Sequence, residues 1–124
     1  MPQPLEFIAR TKIAASPAML FRFHQAPDAF ERLVPPWEKV EVVANGPLAV
    51  GTEVVLRVRI GPFALPWVAR IVEVRGEGSS DLGFRDVQVR GPFRRWEHEH
   101  RFLVDPENPR GSVLEDRVVY ELPF

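Results

Sequence analysis

The chain contains no cysteine, and this absence excludes several classes of site. Its 124 residues can form no disulfide, no thiol nucleophile and no metal centre with cysteine ligands. The formal net charge is only -1 at pH 7, whereas nucleic-acid-binding domains normally carry a basic face. The sequence also lacks a nucleophile elbow, a phosphate-binding loop and a dinucleotide-binding fingerprint. We therefore expect no nucleic-acid partner and no nucleotide cofactor.

Long apolar runs are missing as well. No stretch approaches the ~20 apolar residues that a membrane-spanning helix needs. The first residues, Met1-Pro2-Gln3-Pro4, lack the basic region and apolar run of a signal peptide. We expect a cytoplasmic protein without a membrane span. The length fits one domain, so residues 1–124 are predicted to form a single domain.

Two short helices are predicted near the start of the chain. Ser16 can cap the first helix, and Pro17 suits its first position. Its apolar stripe consists of Met19, Leu20, Phe21 and Phe23. A second helix follows Pro27-Asp28, with Phe30 and Leu33 facing inward, and Pro35-Pro36 ends it. His24 is interpreted as a polar partner for the end of the first helix.

The rest of the chain alternates apolar and polar residues as β-strands do. One strand, at residues 5–14, precedes the helices, and six follow them, at residues 40–44, 53–60, 65–75, 82–90, 94–104 and 113–122. Strands joined by short turns favour an antiparallel meander. Residues 105–111 are predicted to be an exposed loop. Gly-Pro-Phe occurs at 61–63 and again at 91–93, and we interpret it as one turn used twice.

The strand around residues 96–102 carries the most chemical information. Alternation places Trp96, His98, His100 and Phe102 on an inner face, and Arg95, Glu97, Glu99 and Arg101 on a solvated outer face. Neighbouring strands add Asp86, Gln88, Asp116 and Tyr120 to the inner face. Glu115, Arg117 and Glu121 are predicted to lie outside.

Several interpretations of this inner polar set remain open. Because an unpaired buried polar group costs about 1–3 kcal/mol, the set must be hydrogen-bonded or must line a wet cavity. It could be a structural network, a ligand-binding cavity, or an acid–base pair in which a carboxylate orients an imidazole. His-x-His alone does not supply the third ligand that a metal needs, so we predict no metal.

The sequence resembles the START-like (SRPBCC) superfamily, in its polyketide cyclase/dehydrase and coenzyme Q-binding-like branch. The residues that carry the resemblance are the run from Phe84 to Phe93 (FRDVQVRGPF), followed by Trp96, His98, His100, Phe102, Asp116, Tyr120, Leu122 and Pro123. The Gly-Pro-Phe to His-x-His-x-Phe run is typical of one bacterial subgroup.

The resemblance implies an α+β helix-grip fold, in which a curved seven-stranded antiparallel sheet wraps a long C-terminal helix around a hydrophobic cavity. That helix should begin after Pro123, so we expect it to be missing or truncated in this chain. A homodimer or a partner would then cover the concave face.

Three functions follow as expectations. The first is binding or carriage of a lipid, quinone or polyketide-like molecule, without a cofactor. The second is a metal-free cyclase or dehydratase, with His98 or His100 as the general base oriented by Asp116. The third is an interaction module for a partner helix or a fused domain. The predicted lining of the cavity is Leu56, Val58, Trp67, Phe84, Asp86, Gln88, Trp96, His98, His100, Phe102, Leu114, Asp116, Val118 and Tyr120.

Overall fold

The computed structural model describes residues 3–26 and 40–124. They form one seven-stranded antiparallel sheet and one α-helix. The elements are β1 (Leu5–Ile13), α1 (Pro17–Gln25), β2 (Val40–Ala44), β3 (Glu53–Ile60), β4 (Phe63–Arg75), β5 (Gly83–Arg90), β6 (Arg95–Asp105) and β7 (Asn108–Glu121). The strand order is β1-β7-β6-β5-β4-β3-β2. The predicted meander is confirmed from β2 to β7, and β1 pairs with the last strand.

Helix α1 begins as its sequence predicts. The Ser16 hydroxyl accepts a hydrogen bond from the Met19 N–H at 3.2 Å, and Pro17 occupies the first turn. Leu20 and Phe21 are buried, but Met19 is 61% exposed, so the prediction that Met19 faces the core is wrong. A nine-residue helix has room for only a narrow buried stripe. The predicted second helix, with Phe30, Leu33 and Pro35-Pro36, lies outside the described residues.

The hydrophobic core lies where α1 meets the sheet. Leu20 and Phe21 pack against Phe84 of β5 and Phe102 of β6. The rings of Phe21 and Phe102 meet edge to face, with centroids 5.7 Å apart. We call the sheet face that carries α1 the inner face. Over the described ranges, α1 is the sole α-helix, no long helix covers the remainder of this face, and no helix is long and apolar enough to cross a membrane.

The outer face is a lattice of ion pairs between neighbouring strands. Arg10 pairs with Glu115 at 2.8 Å, and Arg75 pairs with Glu99 at 2.6 Å. Glu115 lies on the outer face, as predicted, but it is only 8% exposed because Arg10 and Arg101 pair with its carboxylate. A depression of about 340 Å³ on this face is lined mainly by these paired charges, so we assign it no ligand. Exposed pairs contribute roughly 0–1 kcal/mol each.

Residues 106–110 are exposed, as predicted for the segment at 105–111, but the segment forms a tight turn and the start of a strand, not a loop throughout. Asp105 is 5% exposed and ends β6, while β7 already begins at Asn108. The Asp105 carboxylate accepts a hydrogen bond from the Glu107 N–H at 2.9 Å, as aspartates often do in tight turns. This local bond closes the hairpin within a few residues, so the rest of the segment continues the strand.

The two Gly-Pro-Phe segments form different turns, which corrects the interpretation of one repeated turn. Gly61 has φ +59° and begins a two-residue hairpin turn between the paired residues Ile60 and Phe63. At 91–93 the turn is longer and is closed by Gln88. The Gln88 amide donates to the Phe93 carbonyl at 2.6 Å and accepts from the Phe93 N–H at 3.2 Å. A Cβ at Gly91 would collide with this amide.

Candidate functional site

Four polar side chains meet on the inner face of the three strands β5, β6 and β7. The register places His98 opposite Asp86 on one side, and His100 opposite Asp116 on the other. Residues paired across antiparallel strands share a face, so all four side chains project to the same side of the sheet. We call Asp86, His98, His100 and Asp116 the polar centre.

The polar centre is linked as a chain of alternating carboxylates and imidazoles. Asp86 Oδ2 lies 2.9 Å from His100 Nε2, and Asp116 Oδ1 lies 2.9 Å from His98 Nε2. His100 Nδ1 lies 3.4 Å from the same Asp116 oxygen, which is an ion-pair distance. The order is therefore Asp86, His100, Asp116, His98.

Ring stacking fixes the orientation of both imidazoles. The His100 ring lies between Phe84, at a centroid distance of 4.0 Å and 10°, and His98, at 3.7 Å and 25°. Phe84 itself belongs to the core beneath α1. The polar centre is thus anchored to that core through Phe84, and rotation of the His100 ring would disturb the packing of Phe84.

The charges of the polar centre follow from this geometry. Burial lowers the pKa of His100, but the Asp116 and Asp86 carboxylates outweigh it and raise the pKa of this imidazole above its ordinary value. Burial likewise raises the pKa of Asp116, but hydrogen bonds from His100 and His98 dominate and hold it well below its usual range. Both shifts favour a protonated His100 beside an ionised Asp116.

A metal ion fits this arrangement poorly. Asp86, His98 and His100 do bring one potential ligand atom each within 4.8 Å of one another. Imidazole lone pairs lie in the ring plane, however, and the two rings are stacked at 25°, so their lone pairs do not converge on one point. Both nitrogens of His100 also face carboxylates. The geometry suits proton sharing better than coordination.

His24 approaches the polar centre from α1, and the sequence interpretation missed its position there. Its Nδ1 lies 2.8 Å from the Leu20 carbonyl oxygen, as expected of a polar side chain near a helix end. Its ring also lies 4.9 Å from that of Phe102, beside the core. Burial lowers the pKa of His24. The signal was its spacing of four residues from Leu20, which places both on the same helix face.

An aromatic cluster lies next to the polar centre on the inner face, away from α1. Trp96 precedes His98 by two residues on the same face and is the centre of the cluster. Its ring lies 5.0 Å from that of Trp67, 4.9 Å from that of Phe93 and 6.1 Å from that of Tyr120. Phe93, in the turn closed by Gln88, was not among the predicted site residues. We call Trp67, Phe93, Trp96 and Tyr120 the aromatic cluster.

The other predicted site residues fall into four groups. Phe84 and Phe102 belong to the core beneath α1, and Leu114 packs against it, so these three residues connect the site to the core. Gln88 uses both ends of its amide to close a turn. Leu56 and Val58 lie on β3, opposite Trp67 and Leu65, so they are farther across the sheet from the polar centre. Val118 is buried beside His98.

Comparison with known proteins matches this architecture to a family. The family model described as polyketide cyclase / dehydrase and lipid transport matches residues 13–124. No curated protein sequence matches the chain. TTHA0849 from Thermus thermophilus is a solved structure with 24% identity and a TM-score of 0.71. The match covers 97% of this chain and 76% of the TTHA0849 chain.

Plant proteins of the Bet v1-like group share the fold at lower identity. Ginseng major latex-like protein 151 from Panax ginseng has 16% identity and a TM-score of 0.71, covering 98% of this chain and 81% of its own. Norcoclaurine synthase from Thalictrum flavum, solved in complex with dopamine and hydroxybenzaldehyde, has 16% identity and a TM-score of 0.71. The match covers 97% of this chain and 70% of the synthase chain. At such identities the likeness establishes the helix-grip fold alone.

Proposed function

Because the chain belongs to the polyketide cyclase / dehydrase and lipid transport family, we propose that it binds or carries a hydrophobic small molecule on the inner face of its sheet. The ligand's apolar body lies against the aromatic cluster, and its polar end contacts the polar centre. A lipid, a quinone or a polyketide-like molecule would suit this arrangement. Ligand sites in proteins combine the same two parts: apolar walls and a few convergent polar groups.

The observation that carries this proposal is the partial exposure of the polar centre. The side chains of His100 and Asp86 are 16% and 17% exposed, and those of His98 and Asp116 are 23% and 26% exposed. A network that only filled a core would be sealed. These side chains instead open onto the inner face beside an aromatic cluster, where a ligand could replace solvent.

Thermal unfolding with a panel of neutral lipids, quinones and aromatic polyketides tests this proposal. A ligand that binds only the folded state raises Tm, and the rise grows with the logarithm of the ligand concentration above Kd. Trp96→Ala should abolish the shift because it removes the centre of the aromatic cluster. Ile8→Ala is the control, since Ile8 is 42% exposed and pairs with Arg117 on the outer face. If no apolar compound raised Tm, or if both variants lost the shift alike, we would abandon the inner face as the site.

A second candidate function is acid–base catalysis of the cyclase or dehydratase type. It is favoured by the 2.9 Å contact between His98 Nε2 and Asp116, because a carboxylate that orients an imidazole prepares its other nitrogen for proton transfer. Such an enzyme would speed deuterium exchange at the carbon next to the carbonyl of a bound ketone. His98→Gln should stop this exchange, and Asp81→Asn on the outer face should leave it unchanged. Equal exchange in both variants would rule out His98 as the base.

We also propose that residues 1–124 act as one ligand-binding domain in the cytoplasm.

A partner helix, a fused domain or a second copy of the chain would cover the inner face. Support comes from Leu5 and Phe7 of β1, which pair with the inner-face residues Tyr120 and Val118 and are 44% and 58% exposed. Sedimentation of the protein at rising concentration tests self-association, and a monomer at every concentration would leave only the partner or fused domain.

A further inference from the structure

Some hydrogen-bonding atoms of the polar centre already have partners and others do not. Both ring nitrogens of His100 have partners. Its Nε2 faces Asp86 Oδ2 and its Nδ1 faces Asp116 Oδ1. A neutral imidazole has one N–H and one lone pair, and a lone pair facing a carboxylate oxygen would be repelled. The geometry therefore favours the imidazolium form, with both N–H groups directed at carboxylates. His100 has no donor left for a ligand.

The neutral forms of the other two histidines present acceptors. His98 Nε2 donates to Asp116, so its lone pair is on Nδ1, which has no hydrogen-bond partner among the described residues. His24 Nδ1 must donate, because the Leu20 carbonyl can only accept, and this leaves the lone pair on Nε2. Each histidine thus keeps one nitrogen lone pair without a hydrogen bond among the described residues.

The carboxylates contribute two more acceptors. Asp86 uses Oδ2 and Asp116 uses Oδ1, which leaves Asp86 Oδ1 and Asp116 Oδ2 without a hydrogen bond in the described part of the chain. The buried side-chain atoms without a partner there are Asn45 Nδ2 and Ser112 Oγ, so none of the four acceptors is sealed from solvent. Together, the polar centre and His24 present four acceptors to a ligand, and none of their own N–H groups is free.

Within the described ranges, the neighbouring strands place no cation beside the polar centre that would balance this excess of acceptors. The residue paired with Asp116 on β1 is Ala9, and the one paired with Asp86 on β4 is Ile71. Arg85 and Arg101 lie on the outer face and pair with acids there. Arg90 shares the face of Asp86, but it is exposed at the end of β5, roughly 13 Å farther along the strand.

We infer that the polar centre selects ligands whose polar end is a hydrogen-bond donor, a hydroxyl or an amine, and rejects those that end in a carboxylate. This inference rests on the proposed function and specifies the ligand class. An ammonium group has three N–H donors for Asp116, Asp86 and His98, and a hydroxyl can donate its single O–H to one of them. A carboxylate brings only acceptors and negative charge to a site whose two carboxylates outnumber its one imidazolium, so its desolvation is not compensated.

Three isosteric probes test the inference: 2-naphthylmethanol, 2-naphthylmethylamine and 2-naphthoate, titrated by calorimetry at about pH 8, above the ordinary pKa of imidazole. We expect the alcohol and the amine to bind at least about ten-fold more tightly than the carboxylate, the ratio that one charge-assisted hydrogen bond produces. Asp116→Asn supplies an amide donor and should reduce the ratio. Asp81→Asn, the same change on the outer face, should not.

The outcomes separate this inference from the proposed function. If none of the three probes bound, and no neutral apolar compound raised Tm, the proposed function itself would fail. If the probes bound but 2-naphthoate bound as tightly as the amine, ligand binding would stand and the selectivity for donors would be overturned. Equal ratios in the wild-type protein and Asp116→Asn would also overturn it, because the selectivity would then arise elsewhere.

Discussion

At the scale of single residues, the sequence locates the polar side chains but does not show how they are connected. Alternation along β6 is enough to place His98 and His100 on one face. It cannot reveal that His100 is held between Asp86 and Asp116, because that depends on the diagonal register across three strands. The difference matters for chemistry. His100 has both ring nitrogens facing carboxylates, and His98 is the one with a free nitrogen, although the two look equivalent in the sequence.

Asp86→Asn tests the role given to His100. Removing one of the two carboxylates should lower the pKa of His100 towards its ordinary value, because burial then opposes a smaller electrostatic stabilisation of the imidazolium. NMR titration of the imidazole nitrogens measures this pKa directly. Asp81→Asn is the control and should leave the titration of His100 unchanged. A His100 pKa that did not move in Asp86→Asn would contradict the proposed chain of contacts.

At the scale of elements, the strands were predictable because alternation persists over many residues, whereas the turns depend on single hydrogen bonds. The identical Gly-Pro-Phe segments show this. Gly61 makes a two-residue hairpin turn through its positive φ, and the second segment makes a longer turn closed by Gln88, a side chain three residues upstream of Gly91. Alternation along β5 placed Gln88 on the inner face, so it was predicted to contact a ligand. Its hydrogen bonds to the turn could not be inferred from the sequence.

Gln88→Ala should destabilise the fold by about 1–3 kcal/mol, because the Phe93 N–H and carbonyl lose their partners at a partly buried turn. Urea unfolding measures the loss. Gln25→Ala is the matched control, since Gln25 is exposed at the end of α1 and should change stability by less than about 0.5 kcal/mol. An equal effect of the two substitutions would mean that Gln88 does not hold the turn.

The docking of α1 provides a second element-scale prediction. Phe21 is fully buried against the sheet, so Phe21→Ala should cost about 3–5 kcal/mol of unfolding free energy. Met19→Ala, two residues away and exposed, should cost far less. Urea unfolding of the two variants compares them. A small effect at Phe21 would show that the helix contributes little to the core.

At the scale of the whole molecule, one end of the sheet is held by α1 and the other end of the inner face carries the aromatic cluster. The fold class was predictable because the strand pattern and the family resemblance agree. The pairing of β1 with β7 was not, because no local signal links segments separated by about a hundred residues. The extent of the open inner face also depends on this long-range pairing.

Stability should depend on pH in a way that the histidines determine. His100 has a raised pKa, so its stabilising contribution is present below its ordinary value of 6.5 and is lost as pH rises through the folded-state value. His24 has a lowered pKa, so its contribution is present above 6.5 and is lost as pH falls through the folded-state value. Asp116 adds a further loss as pH falls below its ordinary value of 3.8.

The free energy of unfolding should therefore be greatest near pH 6.5 and decline on both sides. His100→Gln should flatten the alkaline side of this profile, and His24→Gln the acidic side between 6.5 and the lowered pKa of His24. Urea unfolding across the pH range measures both. A profile in which His100→Gln left the alkaline side unchanged would show that His100 is not stabilised as a cation.

The central claim, that the inner face binds an apolar ligand with its polar end at the polar centre, is tested most directly by NMR mapping with 2-naphthylmethanol. We predict that the imidazole signals of His98 and the indole signals of Trp67 and Trp96 shift together and saturate at one dissociation constant. These are the groups that the structure places side by side on the open inner face. Shifts confined to outer-face residues such as Arg85, Glu99 and Arg117, or no saturable shift at all, would contradict the account.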